Sequence, residues 1–126
     1  MTIKKIFIAN GPNLNFLGIR ELEKYGSTTY SELIQTIERK ASSLNLEVEF
    51  FQSNNEGEVV DYIQMISQFN DVWLIFNPGA FTHTSVSIRD AISIFSQNNK
   101  IVEVHISDIN KSCLLYTSPS PRDAIP

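Results

Sequence analysis

Tyr25 and Arg20 lie five residues apart in the stretch NGPNLNFLGIRELEKYGS, Asn10 to Ser27. A free phenol titrates near pH ~10, so Tyr25 is a poor base at neutral pH unless a cation lowers its pKa. Arg20 stays protonated and can supply that charge. A phenolate beside a guanidinium can take a proton from a carbon next to a carbonyl. The residues alone leave a second reading open, in which Tyr25 packs its ring at the base of a loop. His105 stands in VEVHI, two residues after Glu103, and strand alternation puts both on one side. A carboxylate beside an imidazole can orient it and keep it protonated, which suits a general acid. An incidental strand-end pair is the alternative. Asn77 to Ser85, NPGAFTHTS, adds the amide of Asn77 and the imidazole of His83 just ahead of a helix. A helix N-terminus favours an anionic group such as a carboxylate, and a polar capping loop is the plainer reading. Arg89 and Asp90 follow within that helix as ordinary surface charges. Cys113 and His83 lack metal-ligand spacing, so no metal is expected.

These residues need elements to position them, and the hydrophobic pattern provides them. KIFIA (Lys5–Ala9) reads as a buried strand ending at a turn signal. Leu33, Ile34, Ile37, Ala41 and Leu44 then fall at helical spacing, after a capping-box pattern from Thr29 to Glu32. Leu46–Gln52 is a second strand. Ser53 to Glu56 repeats the capping-box pattern before an apolar stripe of Val59, Val60, Ile63 and Ile66. Val72–Phe76 is a third strand. A helix from about Ser85 to Gln97 follows, with Val86, Ala91, Ile92 and Phe95 expected to face inward. Ile101–Ile106 is a fourth strand. Strands alternating with helices imply an α/β fold of parallel βαβ units, with helices on both faces of the sheet. Such a sheet binds ligands beyond the carboxyl ends of its strands, where the strand order reverses. The loop of Arg20 and Tyr25, the pair Asn77 and His83, and the pair Glu103 and His105 all fall at that rim.

The bulk numbers restrict the class of function. The chain is one domain long, with a net charge of −4 and no basic cluster, which argues against a nucleic-acid partner. No apolar run reaches the ~18–20 residues of a membrane span. The apolar stretch after Lys4 and Lys5 is too short for a signal peptide, and the single Cys113 fits a reducing cytoplasm. Walker and G-x-G-x-x-G loops are absent, so nucleotide binding has no support.

Four motifs in register, NGPNLNFLGIRELEKYG, QSNNEG, NPGAFTHTSVSIRD and EVHIS, resemble type II 3-dehydroquinate dehydratase from Ile6 to Lys111. The resemblance implies a flavodoxin-like three-layer sandwich with a parallel sheet. It also implies cofactor-free anti elimination of water from 3-dehydroquinate, through an enolate, to 3-dehydroshikimate. Tyr25 would remove the C2 proton, with Arg20 keeping it ionised, and Asn13 would hold the water that stabilises the enolate oxygen. His105, oriented by Glu103, would protonate the departing hydroxyl. Asn77 and His83 would bind substrate hydroxyls, and the backbone amides of Ile106 and Ser107 its carboxylate. Trimers assembling into a dodecamer are implied, with Asp90 reaching into a neighbour's site.

After Lys111 the resemblance stops. The family has a further strand and helix, and arginines where Ser112 and Tyr116 stand here; Asn55, Asp108 and Asn110 are smaller departures. Residues 1–111 are therefore read as an incomplete dehydratase domain, and 112–126 as a non-family tail. A remnant that keeps the fold without catalysis is the competing expectation.

Overall fold

In the computed structural model, residues 4–16, 27–82 and 85–105 are described. Strand β1 (Lys4–Asn10) leads to a 3₁₀ turn at Leu14–Phe16. Helix α1 (Tyr30–Ser43), strand β2 (Leu46–Gln52), helix α2 (Glu56–Ile66) and strand β3 (Trp73–Asn77) follow. A second 3₁₀ turn at Gly79–Thr82, helix α3 (Val86–Phe95) and strand β4 (Lys100–Glu103) complete the described order. The strands are parallel and ordered β2-β1-β3-β4, with Asn10 paired to Gln52 on one side and Asn77 on the other. This is the flavodoxin-like arrangement, and the direction of winding reverses between β1 and β3.

Right-handed crossovers send α1 to one face of this sheet and α2 and α3 to the other. The main core lies on the second face. Phe7, Ala9, Leu74 and Phe76 from the strands meet Val59, Ile63 and Ile66 of α2 and Ile88, Ala91 and Phe95 of α3. Each large side chain fully buried there contributes roughly 1.5–3 kcal/mol. Buried Asn99 ties the lower ends together: its Oδ1 accepts from Val72 N at 2.9 Å and its Nδ2 donates to Phe69 O at 2.8 Å.

The local signals are met with three corrections. Thr29 forms the expected capping box: Glu32 N donates to Thr29 Oγ1 at 3.1 Å, and Thr29 N to Glu32 Oε1 at 2.9 Å. The second box does not form as read, because Asn55 and not Ser53 caps α2 through Glu58 N. Ser53 Oγ instead donates to Glu58 Oε1 at 2.6 Å and accepts from Asn55 N. Val86 does not face inward; it is 79% exposed, because at about 100° per residue it falls on the face of α3 opposite the buried stripe of Ile88, Ala91 and Phe95. Ile88 takes the inward position. Coverage of the α1 face is also partial among the described residues: Ile8 is buried, Trp73 and Ile75 are half-buried, and Val102 is exposed. Over the described residues the α/β fold expected from the pattern is otherwise the fold observed.

Candidate active site

The carboxyl ends of β1 and β3 are held together by their glycines. Gly11 N donates to Asn77 O at 2.7 Å, and a Cβ on Gly11 would lie 2.2 Å from Pro78 O. Gly79 adopts φ +58°, and a Cβ there would meet Pro12 O at 3.1 Å and Leu14 Cδ2 at 3.2 Å. Only glycine allows the two backbones this close an approach. Asn13 leaves the junction in the left-handed region, φ +67°, which asparagine tolerates better than other side chains.

Asn77 is buried, and its Oδ1 accepts from Gly79 N at 3.1 Å. That bond fixes the amide so that Nδ2 is its remaining donor. Beside it in register, Asn10 is also buried and donates through Nδ2 to Tyr30 Oη at 3.2 Å. Burial pushes the Tyr30 phenol above its ordinary range, with the Asn10 bond pulling more weakly the other way. Tyr30 therefore stays a neutral hydroxyl at the rim.

On the other side of β3, Val104 N donates to Phe76 O at 2.8 Å. This carries the pairing one step beyond β4 and delivers His105 to the sheet edge. His105 Nε2 and Glu103 Oε2 are 2.8 Å apart, with both side chains largely shielded from solvent. With Nε2 engaged by the carboxylate, Nδ1 is the ring nitrogen left for another partner. Glu103 and His105 thus meet as strand alternation predicts.

Asn13, Asn77, Glu103 and His105 come to the carboxyl ends of adjacent strands. Asp90 lies exposed on α3. Tyr25, Arg20, His83, Ile106 and Ser107 lie outside the described residues, as do Ser112 and Tyr116. The sequence reading missed Asn10 and Tyr30. Its available signal was the polar end of an otherwise buried strand, an asparagine that needs a partner once buried. Among the described residues no three His, Cys, Asp or Glu side chains converge as a metal site would require. No helix among them is long and apolar enough to cross a membrane.

An imidazole steered by a carboxylate, one strand from the switch point at the carboxyl end of a wound sheet, equips an α/β protein for acid–base work on a small molecule. Comparison with known proteins agrees and is more specific. The family described as Dehydroquinase class II matches residues 4–114. The chain is 52% identical over 107 residues to a 3-dehydroquinate dehydratase of Caldicellulosiruptor saccharolyticus, covering 85% of this chain and 72% of that protein. It is 47% identical to the catabolic 3-dehydroquinase of Aspergillus clavatus, over 85% of this chain and 69% of the other. The type II dehydroquinase structure from Butyrivibrio crossotus superposes with a TM-score of 0.82 at 47% identity, covering 86% of this chain and 74% of that one. The chain belongs to the class II dehydroquinase family.

Proposed function

We propose that this chain is a type II 3-dehydroquinate dehydratase, a hydro-lyase that removes water from 3-dehydroquinate to give 3-dehydroshikimate. The observation that carries the reading is the Glu103–His105 pair, 2.8 Å apart, in a chain that matches the dehydroquinase family over residues 4–114. Tyr25, ionised beside Arg20, takes the proton at C2, and the electron pair moves onto the carbonyl oxygen as an enolate. Water held by Asn13 donates a hydrogen bond to that oxygen. As the enolate collapses, the carbon–hydroxyl bond breaks and His105 gives its proton to the leaving oxygen, releasing water. Glu103 supports this by keeping the ring oriented, with Nε2 held at 2.8 Å. Asn77 Nδ2, left free by the Gly79 bond, is suited to a substrate hydroxyl; His83 has the same role, and the amides of Ile106 and Ser107 take the carboxylate.

The reaction needs no cofactor in this reading and runs in the cytoplasm. The chain works as trimers that assemble further, with Asp90 contributing to a neighbour's site. An exposed stripe on α3 supports such a contact, since Val86, Asp90 and Ile94 recur every four residues and Val86 and Ile94 are 79% and 51% exposed.

The test is direct. Purified chain is given 3-dehydroquinate, and the ultraviolet absorbance of the conjugated product is followed. Turnover that disappears in Tyr25→Phe, with an unchanged circular-dichroism melt, is the expected result. A folded parent chain that binds the substrate without forming product overturns the reading in favour of a non-catalytic remnant.

A further inference from the structure

The segment after β2, Gln52-Ser53-Asn54-Asn55-Glu56-Gly57, supplies none of the proton-transfer groups, yet it touches the site. Asn54 Oδ1 accepts a hydrogen bond from Asn13 N at 2.8 Å. Gln52 Nε2 donates to the same oxygen at 3.2 Å and to Gly11 O at 3.1 Å. Two donors converge on one atom, so the amide of Asn54 must present its oxygen, and only an acceptor satisfies the position.

The base of this clamp is rigid. Ser53 N donates to Asn10 O at 3.1 Å, continuing the β1–β2 pairing past its last strand residue. Ser53 Oγ accepts from Asn55 N at 2.9 Å, and Asn55 caps α2 through Glu58 N at 3.1 Å. The acceptor therefore stands on a capped helix start and a sheet edge, while Asn13 sits in a left-handed conformation at φ +67°. The bond from Asn13 N favours that conformation over the extended alternatives open to a loop residue.

We infer that Asn54 is a positioning residue for the dehydration, fixing the backbone of Asn13 so that its amide holds the enolate-stabilising water in register. This rests on the water-holding role proposed for Asn13 and gives the QSNNEG motif a function in that step. A displacement of a positioned group by a fraction of an ångström costs turnover more than binding, because the enolate oxygen gains its charge only during the reaction.

Steady-state kinetics on four variants tests it. Asn54→Ala is expected to lower kcat by about tenfold with KM changed by less than about twofold, and to melt near the parent. Asn54→Asp, which keeps an acceptor oxygen at the same reach, is expected to recover most of kcat. Since Asn54 acts through Asn13, adding Asn54→Ala to Asn13→Ala is expected to change kcat no further. An Asn54→Ala effect of equal size in both backgrounds overturns the proposal, as does parental kcat in Asn54→Ala when Asn13→Ala is impaired. Parental kcat in Asn13→Ala instead overturns the water-holding role on which the proposal stands.

Discussion

His105 has two ring nitrogens, and Glu103 occupies one of them at 2.8 Å. The consequence is a directed proton: Nδ1 is the only ring position free to serve the leaving hydroxyl. Glu103→Gln keeps the shape but offers an amide that can face the ring with either end. We expect kcat for dehydration to fall about 10- to 100-fold, less than the loss of a general acid itself would cost because the imidazole remains, with the fold retained. A variant with parental kcat would show that the carboxylate is incidental. A second residue-scale effect lies far from this pair. Tyr62 is buried in the main core, stacks on Phe51 with ring centroids 4.1 Å apart, and donates to Glu49 Oε2 at 3.3 Å. Burial, then the charge of Glu49 and its hydrogen bond, push the phenol well above its ordinary value of 10.0. A group whose folded pKa is raised adds stability below its unfolded pKa, and that stability is lost as pH rises through the folded value. Denaturant titrations should therefore show stability falling above about pH 10, by up to about 1.4 kcal/mol per pH unit for each such phenol. Tyr62→Phe should flatten this limb without removing it, since Tyr30 is shifted in the same direction. An alkaline limb of unchanged slope in Tyr62→Phe counts against this assignment.

At the scale of elements, the site depends on two loops meeting between β1 and β3. Gly11→Ala places a methyl group 2.2 Å from Pro78 O, a backbone atom that cannot rotate away. The loops must part, which breaks the Gly11 N–Asn77 O bond and moves Asn13 relative to Asn77. We expect a loss of about 1–3 kcal/mol in unfolding free energy, as for other overpacked sites, together with a larger fall in kcat than in Tm would suggest. A parental melt and parental turnover would show that the junction is not tight. Sequence alone made β2 legible to the residue and the Thr29 cap to the atom, because alternation and the Thr-x-x-Glu spacing are local signals. The inward expectation for Val86 goes against the helical period. At 3.6 residues per turn Val86 shares the stripe of Asp90 and Ile94 and falls opposite Phe95, so the period itself turns it outward. The sequence could not choose between Ser53 and Asn55 as the cap of α2, since both offer a side-chain oxygen at the right distance from a glutamate. That choice was made by β2, whose pairing with β1 continues through Ser53 N and starts the helix later. Glu103 and His105 were readable from a period of two, whereas the Asn10–Tyr30 and Asn13–Asn54 contacts span 20 and 41 residues and leave no periodic trace.

At the scale of the whole molecule, α3 turns one face to the core and another outward. Ile88, Ala91 and Phe95 are buried, while Val86, Asp90 and Ile94 form the exposed stripe. Two large apolar side chains on either side of a carboxylate are costly to leave in water and well spaced to cover a second copy, which is the contact proposed above. If that is the subunit contact, a charge placed in the stripe disrupts it without touching the core. Ile94→Lys introduces a desolvation cost at the interface and leaves the monomer fold intact, because the position is half open to solvent. Sedimentation should show the assembled species replaced by smaller ones, with the secondary structure unchanged. Asp90→Ala tests the other half of the proposal, in which the carboxylate serves the neighbour's site and the apolar residues the contact: it should lower turnover while the assembly persists. An Ile94→Lys protein that sediments like the parent would place the contact on a different surface. An Asp90→Ala protein with parental turnover would leave each site complete within its own chain.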